Sequence, residues 1–437
     1  METTSGNQIK LLSLKTYPLG RLLIPLLLLL ISLQVPGLES AGAANKWALW
    51  QTGPKLRGAN IYQRRSYPDP AIDGDLALVG PVIPPYSQAD FDKLAAMGAN
   101  YVNISHPGLF TEQPPYTVDP AIQANLDQLL AKIAQADMFA VIAFRTGPGR
   151  NEFIFLDEED PNWLAESRDI NFVWTSAAAQ DAWVNMWRYT AQRYRNNPVV
   201  AGYDLMVEPN SNVLLNIWDP AEFYPDYANS LYNWNQLYPR ITAAIRQVDP
   251  NTPILIGGMS YSAVTWLPYL KPTGDPYTVY TVHNYEPFVY THQYPPGLVY
   301  PGSFDGNGDS VIDSINKSWL NSLLSPIDTF KNTYHVPVAV NEYGLMRWEV
   351  GASQYMADMM ALLEQRGLNH AWWLWAPSDE RFTEYTHYFN PRLGPSPANR
   401  DEVATSLLLE VIRQNWQLNI LRPSKQFLVF LPAIVKK

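Results

Sequence analysis

The sequence predicts a (β/α)8 barrel, and three observations carry that reading. Eight short apolar runs of strand length alternate with segments of helical period, as in a parallel sheet built from βα units. A chain of 437 residues suits one barrel with insertions. The long loops 147–175, 287–313 and 377–398 each follow an apolar run, where barrel enzymes carry their site walls. An open doubly wound sheet is the rival arrangement, but no glycine-rich phosphate motif accompanies a strand.

The elements follow in order. Strand 56–61 opens the set. Ser87 with Asp90 three residues later forms a capping box ahead of Phe91, Leu94 and Ala95, and Gly98 ends that helix. Strand 101–105 comes next. Asp119-Pro120 is an N-cap with a first-turn proline, opening a helix with Ile122, Leu126, Leu129, Leu130 and Ile133 on one face. Strand 139–144 is buried. Trp183, Trp187 and Tyr194 mark a helix that stops before Pro198. Strand 199–207 runs into Glu208-Pro209-Asn210, and a helix over 231–248 carries a kink at Pro239. Strands 253–256, 278–284 and 337–340 follow, with a helix over 319–330 before the last of them. Helix 354–365 leads to strand 370–375, and 399–416 closes the set.

The two ends read differently. Lys10, Lys15 and Arg21 precede an apolar run over 22–33, and Ala41-Gly42-Ala43 fits a small-residue cleavage site. Residues 1–44 therefore read as a signal peptide, with an uncleaved anchor as the alternative; either places the domain outside the cytoplasm, secreted or at the cell surface. Residues 45–420 form the barrel domain. The tail 421–437, apolar from Phe427 to Val435 with two closing lysines, is too short to span a bilayer and reads as a packed strand or an attachment segment.

Composition narrows the function. The net charge is −10 with only 16% charged residues, which excludes the clustered Lys and Arg that nucleic acid requires. With no cysteine there are no disulfides, thiolate nucleophiles or Cys-bound metals. The six histidines form no HExxH pair. Fifteen Trp and 26 Tyr exceed what a core needs, and flat rings stack on the apolar faces of sugars.

The chemistry lies in Glu208 and Glu342. Each follows an apolar strand, where a carboxylate is costly to bury unless a site uses it. Singly, such a residue is usually a cap or an ion-pair partner. Two around one barrel mouth are what acid/base and nucleophilic catalysis at an acetal carbon requires, roughly 5–5.5 Å apart for retention.

From 56 to 375 the sequence resembles glycoside hydrolase family 5. Leu56-Arg57-Gly58-Ala59-Asn60 is similar to the family's opening strand. Leu205-Met206-Val207-Glu208-Pro209 is similar to its acid/base motif, and Val340-Asn341-Glu342-Tyr343-Gly344 to its nucleophile motif. The resemblance implies Glu208 as acid/base after strand four and Glu342 as nucleophile after strand seven. It further implies His283 and Tyr285 as the strand-six pair, with Tyr285 touching the nucleophile, and Trp375 as the strand-eight ring stacking on the sugar. Glu286, one residue past that motif, reads as a rim residue, and Trp372 and Trp373 as packing.

The sequence departs from the family at three places. Val207 stands where the family has Asn, Asn103 where strand two carries Arg, and Arg145 or Thr146 where strand three carries His. Asn103, His106 and Asn210 are the candidates to supply the missing polar contacts. Separately, Asp305, Asn307, Asp309 and Asp313 stand at calcium-loop spacing, but Ser310 and Asn316 replace the Gly and Glu of that pattern, leaving calcium and a polar turn both open.

The expectation is thus a monomeric, secreted retaining hydrolase of a β-linked glycan, of glucan or mannan type, needing no cofactor. A non-catalytic carbohydrate-binding barrel of a cell-surface protein is the rival, and a transglycosylase using the same residues is a third reading.

Overall fold

The computed structural model describes residues 43–68, 70, 73–151 and 171–426. The expected leader, apart from its last two residues, and the apolar tail beyond Gln426 lie outside that set. Eight parallel strands close into a barrel: β1 (Arg57–Tyr62), β2 (Tyr101–Pro107), β3 (Phe139–Thr146), β4 (Val200–Asp204), β5 (Ile254–Gly257), β6 (Thr278–Asn284), β7 (Val338–Tyr343) and β8 (Asn369–Trp372). Each strand pairs with the next, and β8 returns to β1 with His370 opposite Arg57. Close approach sets one residue type. A Cβ on Gly58 would lie 1.8 Å from the Tyr101 carbonyl oxygen, so only glycine lets β1 pack on β2 there.

Local signals set the helices. In α1 (Gln88–Ala96), Ser87 accepts from the Asp90 N–H while the Asp90 carboxylate accepts from the Ser87 N–H. Asp119 caps α2 (Pro120–Gln135), whose Ile122, Leu126, Leu129, Leu130 and Ile133 are all buried. Each such side chain contributes about 1.5–3 kcal/mol on burial. Pro239 sits inside α3 (Trp234–Arg246), which remains one helix.

Several expected boundaries move, among them the end of β7, which runs to Tyr343 rather than 340. β4 stops at Asp204 rather than 207, although Val207 N–H still bonds the Phe144 carbonyl at 2.9 Å. β8 stops at Trp372 rather than 375. The segment 319–330 is two helices, Lys317–Leu323 and Ser325–Tyr334, because Pro326 takes a first-turn position and restarts the chain. The closing segment 399–416 is helical only from Leu407, where Ser406 caps it.

The barrel interior changes character from bottom to top. At the strand N-terminal ends, Leu49 and Trp50 of the helix Ala43–Gln51 pack on Leu56, Phe139, Val141, Leu255 and Val279, and the Trp50 indole N–H bonds the Ala201 carbonyl. Above this lies a polar layer. Asn103 donates to Asn60 at 2.7 Å, Asn60 to the Asn341 carbonyl at 2.9 Å, and Asn341 to Asp204 at 2.6 Å. The carboxylates sit at the C-terminal ends. No described helix is long and apolar enough to cross a membrane.

Candidate active site

Glu208 and Glu342 reach the mouth by different local devices. Beyond β4 the chain bends, and Glu208 takes the left-handed conformation with φ 55°. For a residue with a Cβ this costs about 1–2 kcal/mol. Glu342 lies within β7, at a register shift between Val340 and Glu342 against β6. Successive strand residues normally face opposite ways. Here the bulge lets Asn341 reach Asp204 inside the barrel while its neighbour Glu342 also turns inward, toward Arg145.

One guanidinium joins the pair. Arg145, near the end of β3, donates to Glu208 Oε2 at 2.9 Å, to Glu342 Oε2 at 3.3 Å and to the Ser105 hydroxyl at 2.9 Å. His283 Nδ1 lies 2.8 Å from Glu208 Oε1 and 3.5 Å from Glu342 Oε2. Tyr285 donates its hydroxyl to Glu342 Oε1 at 2.7 Å. Oxygens of the two carboxylates and a ring nitrogen of His283 all lie within 4.8 Å of one another. That grouping could hold a divalent cation, but the Arg145 guanidinium already supplies positive charge between the carboxylates.

The electrostatics divide the pair. Burial raises the pKa of Glu208, but Arg145 and His283 outweigh it and hold this carboxyl below the ordinary range. Burial also raises Glu342; His283 pulls it down, the negative Glu208 pushes it back up, and the net direction is up. Burial works to lower His283, but Glu342 and Glu208 raise it. Beneath them Asp204 is pushed up to about 7, chiefly by burial. The two cationic groups thus lie closer to Glu208 than to Glu342.

The expected contact residues do not all gather here. His283 and Tyr285 do. Trp375 does not: β8 ends three residues earlier, and the ring is fully buried with its N–H on the Asp90 carbonyl and Arg392 over its face at 4.4 Å. Trp373 packs as expected, buried with Tyr62, Met346, Leu374 and Phe389, and it also faces the Arg145 guanidinium at 5.3 Å, with Tyr62 at 5.9 Å. His106 is turned to Asn125 on α2. Asn103 belongs to the polar layer, bonded to Asn60. Asn210 is buried at the start of the short helix Ser211–Leu214. Glu286 accepts from the Phe288 N–H at the rim.

The acidic loop resolves as a turn. The Asp305 carboxylate accepts backbone N–H groups of Asn307, Gly308 and Ser310, and Asp313 accepts the Trp319 indole N–H. Among the described residues, Glu208, His283 and Glu342 are the acidic and histidine side chains whose ligand atoms all lie within 4.8 Å of one another, while the loop is held by the hydrogen bonds of a polar turn.

In the sequence Arg145 is legible only as a departure, standing with Thr146 where strand three of the resembled family carries His. Strand alternation alone could not say that it bridges two carboxylates.

Comparison with known proteins bears on the whole assembly. Residues 77–379 match the cellulase model of glycosyl hydrolase family 5. Endoglucanase C of Acetivibrio thermocellus is 26% identical over 228 residues, covering 46% of this chain and 61% of that protein. The chain thus spans less than two thirds of that relative's length. A crystal structure of a glycoside hydrolase superposes with a TM-score of 0.61 at 21% identity, over 83% of this chain and 99% of that one. The endoglucanase Cel5A from the hyperthermophilic Thermotoga maritima gives 0.58 at 17% identity, over 85% and 99%. These likenesses in structure concern the fold.

Proposed function

The chain belongs to glycoside hydrolase family 5, and from that premise we propose that it hydrolyses a β-linked glycan, of glucan or mannan type, with retention of configuration and outside the cytoplasm. The observation that carries this reading is the buried pair Glu208 and Glu342, with oxygens within 4.8 Å, close to the roughly 5–5.5 Å of retaining enzymes. A non-catalytic barrel has no use for two buried carboxylates sharing one guanidinium, an arrangement costly to desolvate.

Glu342 attacks the anomeric carbon, its oxygen steered by the Tyr285 hydroxyl. Glu208 gives its proton to the leaving oxygen, then removes one from the water that releases the sugar. Arg145 and His283, which hold the Glu208 carboxyl down, are the groups a bound sugar must draw away from it for Glu208 to act as an acid. We assign the sugar-facing ring to Trp373, 5.3 Å from the Arg145 guanidinium.

The test is hydrolysis of carboxymethylcellulose, barley β-glucan, galactomannan and aryl β-glycosides, with the first-formed anomer read by proton NMR. New reducing ends and a β-anomer are expected. An α-anomer would overturn retention, and binding without turnover on the whole panel would establish the carbohydrate-binding barrel. Products longer than the substrate would mark a transglycosylase.

A further inference from the structure

The strained backbone at Glu208 is held by a second arginine. Arg150 is fully buried, and its guanidinium donates to two consecutive main-chain carbonyls, Val207 at 2.8 Å and Glu208 at 2.7 Å. These carbonyls flank the residue with φ 55°. A buried guanidinium is costly unless its donors are engaged. Here two of them go to the backbone of the proposed acid/base.

The turn that presents Arg150 is itself closely built. It follows β3, the strand that carries Arg145. Gly147 and Arg150 exchange both backbone hydrogen bonds, at 2.8 and 2.9 Å. Gly149, at φ 72°, donates to the Glu112 carbonyl, and the Trp183 indole N–H bonds the Pro148 carbonyl. β3 and its turn thus address Glu208 twice, through the carboxylate and through the main chain.

We infer that Arg150 is a positioning residue for the acid/base: its fork on the Val207 and Glu208 carbonyls keeps Glu208 in the left-handed conformation that puts its carboxylate between Arg145 and His283. Without it, Glu208 relaxes toward ordinary backbone geometry and its carboxylate leaves the glycosidic oxygen. Non-glycine residues held in such conformations persist only where the surroundings over-determine them, and they cluster at working sites. The inference rests on the reading of Glu208 as acid/base.

Acid catalysis matters for poor leaving groups and hardly at all for good ones, and this gives the test. Arg150→Gln and Arg150→Lys are assayed on aryl β-cellobiosides, or on the aryl β-glycosides that the wild-type protein cleaves best, from 2,4-dinitrophenyl to phenyl. Glu208→Ala runs on the same series. Arg150→Gln is expected to lose about 100-fold in kcat/KM on the phenyl glycoside, within the range of general acid catalysis. Its loss on the dinitrophenyl glycoside is expected to be at least about ten times smaller. Arg150→Lys, able to reach one carbonyl, falls between. An equal loss across the series, no loss, or failure of both variants to fold would overturn the inference, since Arg150 would then serve the barrel rather than the acid. If Glu208→Ala shows the steep dependence and Arg150→Gln does not, only this inference fails. If Glu208→Ala shows none, the acid/base reading fails with it.

Discussion

The ends of β4 and β7 present the same residue type at the same mouth, in opposite surroundings. Glu208 stands on a bent, left-handed backbone with one guanidinium on its carboxylate and another on its carbonyl. Glu342 stands at a bulge in a regular strand, its closest partner the hydroxyl of Tyr285, with Arg145 more distant at 3.3 Å than from Glu208. Burial is nearly equal, 8% against 3% exposed, so it cannot be what separates them. Partner charge does. The lesson is that one guanidinium and one imidazole serve both carboxylates at unequal distances, each closer to Glu208 than to Glu342.

The sharpest break of this comparison is to remove each carboxylate in turn. Glu342→Ala removes the nucleophile and is expected to lower kcat by about 10⁴-fold or more. Azide then attacks the anomeric carbon directly and yields a glycosyl azide of inverted configuration. Glu208→Ala is expected to cost about 10²- to 10⁴-fold on poor leaving groups. Its azide product retains configuration, because Glu342 still forms the covalent intermediate. Product NMR reads both, and swapped stereochemistry would exchange the roles of the two strand ends.

A smaller effect tests the shared cation. Arg145→Met takes a positive charge from both carboxylates, so the pKa of each rises. The reaction needs one carboxyl ionised and the other protonated, so the two limbs of kcat/KM report the pair. Both limbs are expected to move to higher pH, by about one to three units. A fall in rate with the limbs unmoved would reduce Arg145 to a packing role. Tyr285→Phe touches only the strand-seven end. It is expected to cost about 10- to 100-fold in kcat/KM, the worth of a hydrogen bond to a charged group. Only one limb is expected to rise, since the lost O–H bonds Glu342 alone. Equal movement of both limbs would show that the two ends are not separable.

Much of this molecule was legible one-dimensionally. Strand-length apolar runs alternating with 3.6-residue periods read as a barrel because burial acts on local patterns, and the capping box at Ser87 and Asp90 and the cap at Asp119 stand where the side chains announce them. Glu208 and Glu342 were legible for a related reason: a charge after an apolar strand is conspicuous. Trp375 and Trp373 show where that reading stops. Two tryptophans two residues apart look equivalent to any periodic rule, and the end of β8 at Trp372 sends one to Asp90 and the other to Arg145. Asn103, His106 and Asn210 were plausible donors by type, but hydrogen bonds choose partners in space.

The sequence by itself determined the barrel, the two carboxylates and their order around the mouth, because hydrophobic period and isolated charge are properties of short segments. Only the tertiary structure decided how the carboxylates differ. Arg145 lies 63 and 197 positions from the two glutamates it joins, and Arg150 lies 57 and 58 from the carbonyls it holds. Closing the barrel brings these groups to hydrogen-bonding distance, and charge interactions at that range, in a buried site, act unequally on the two carboxyls.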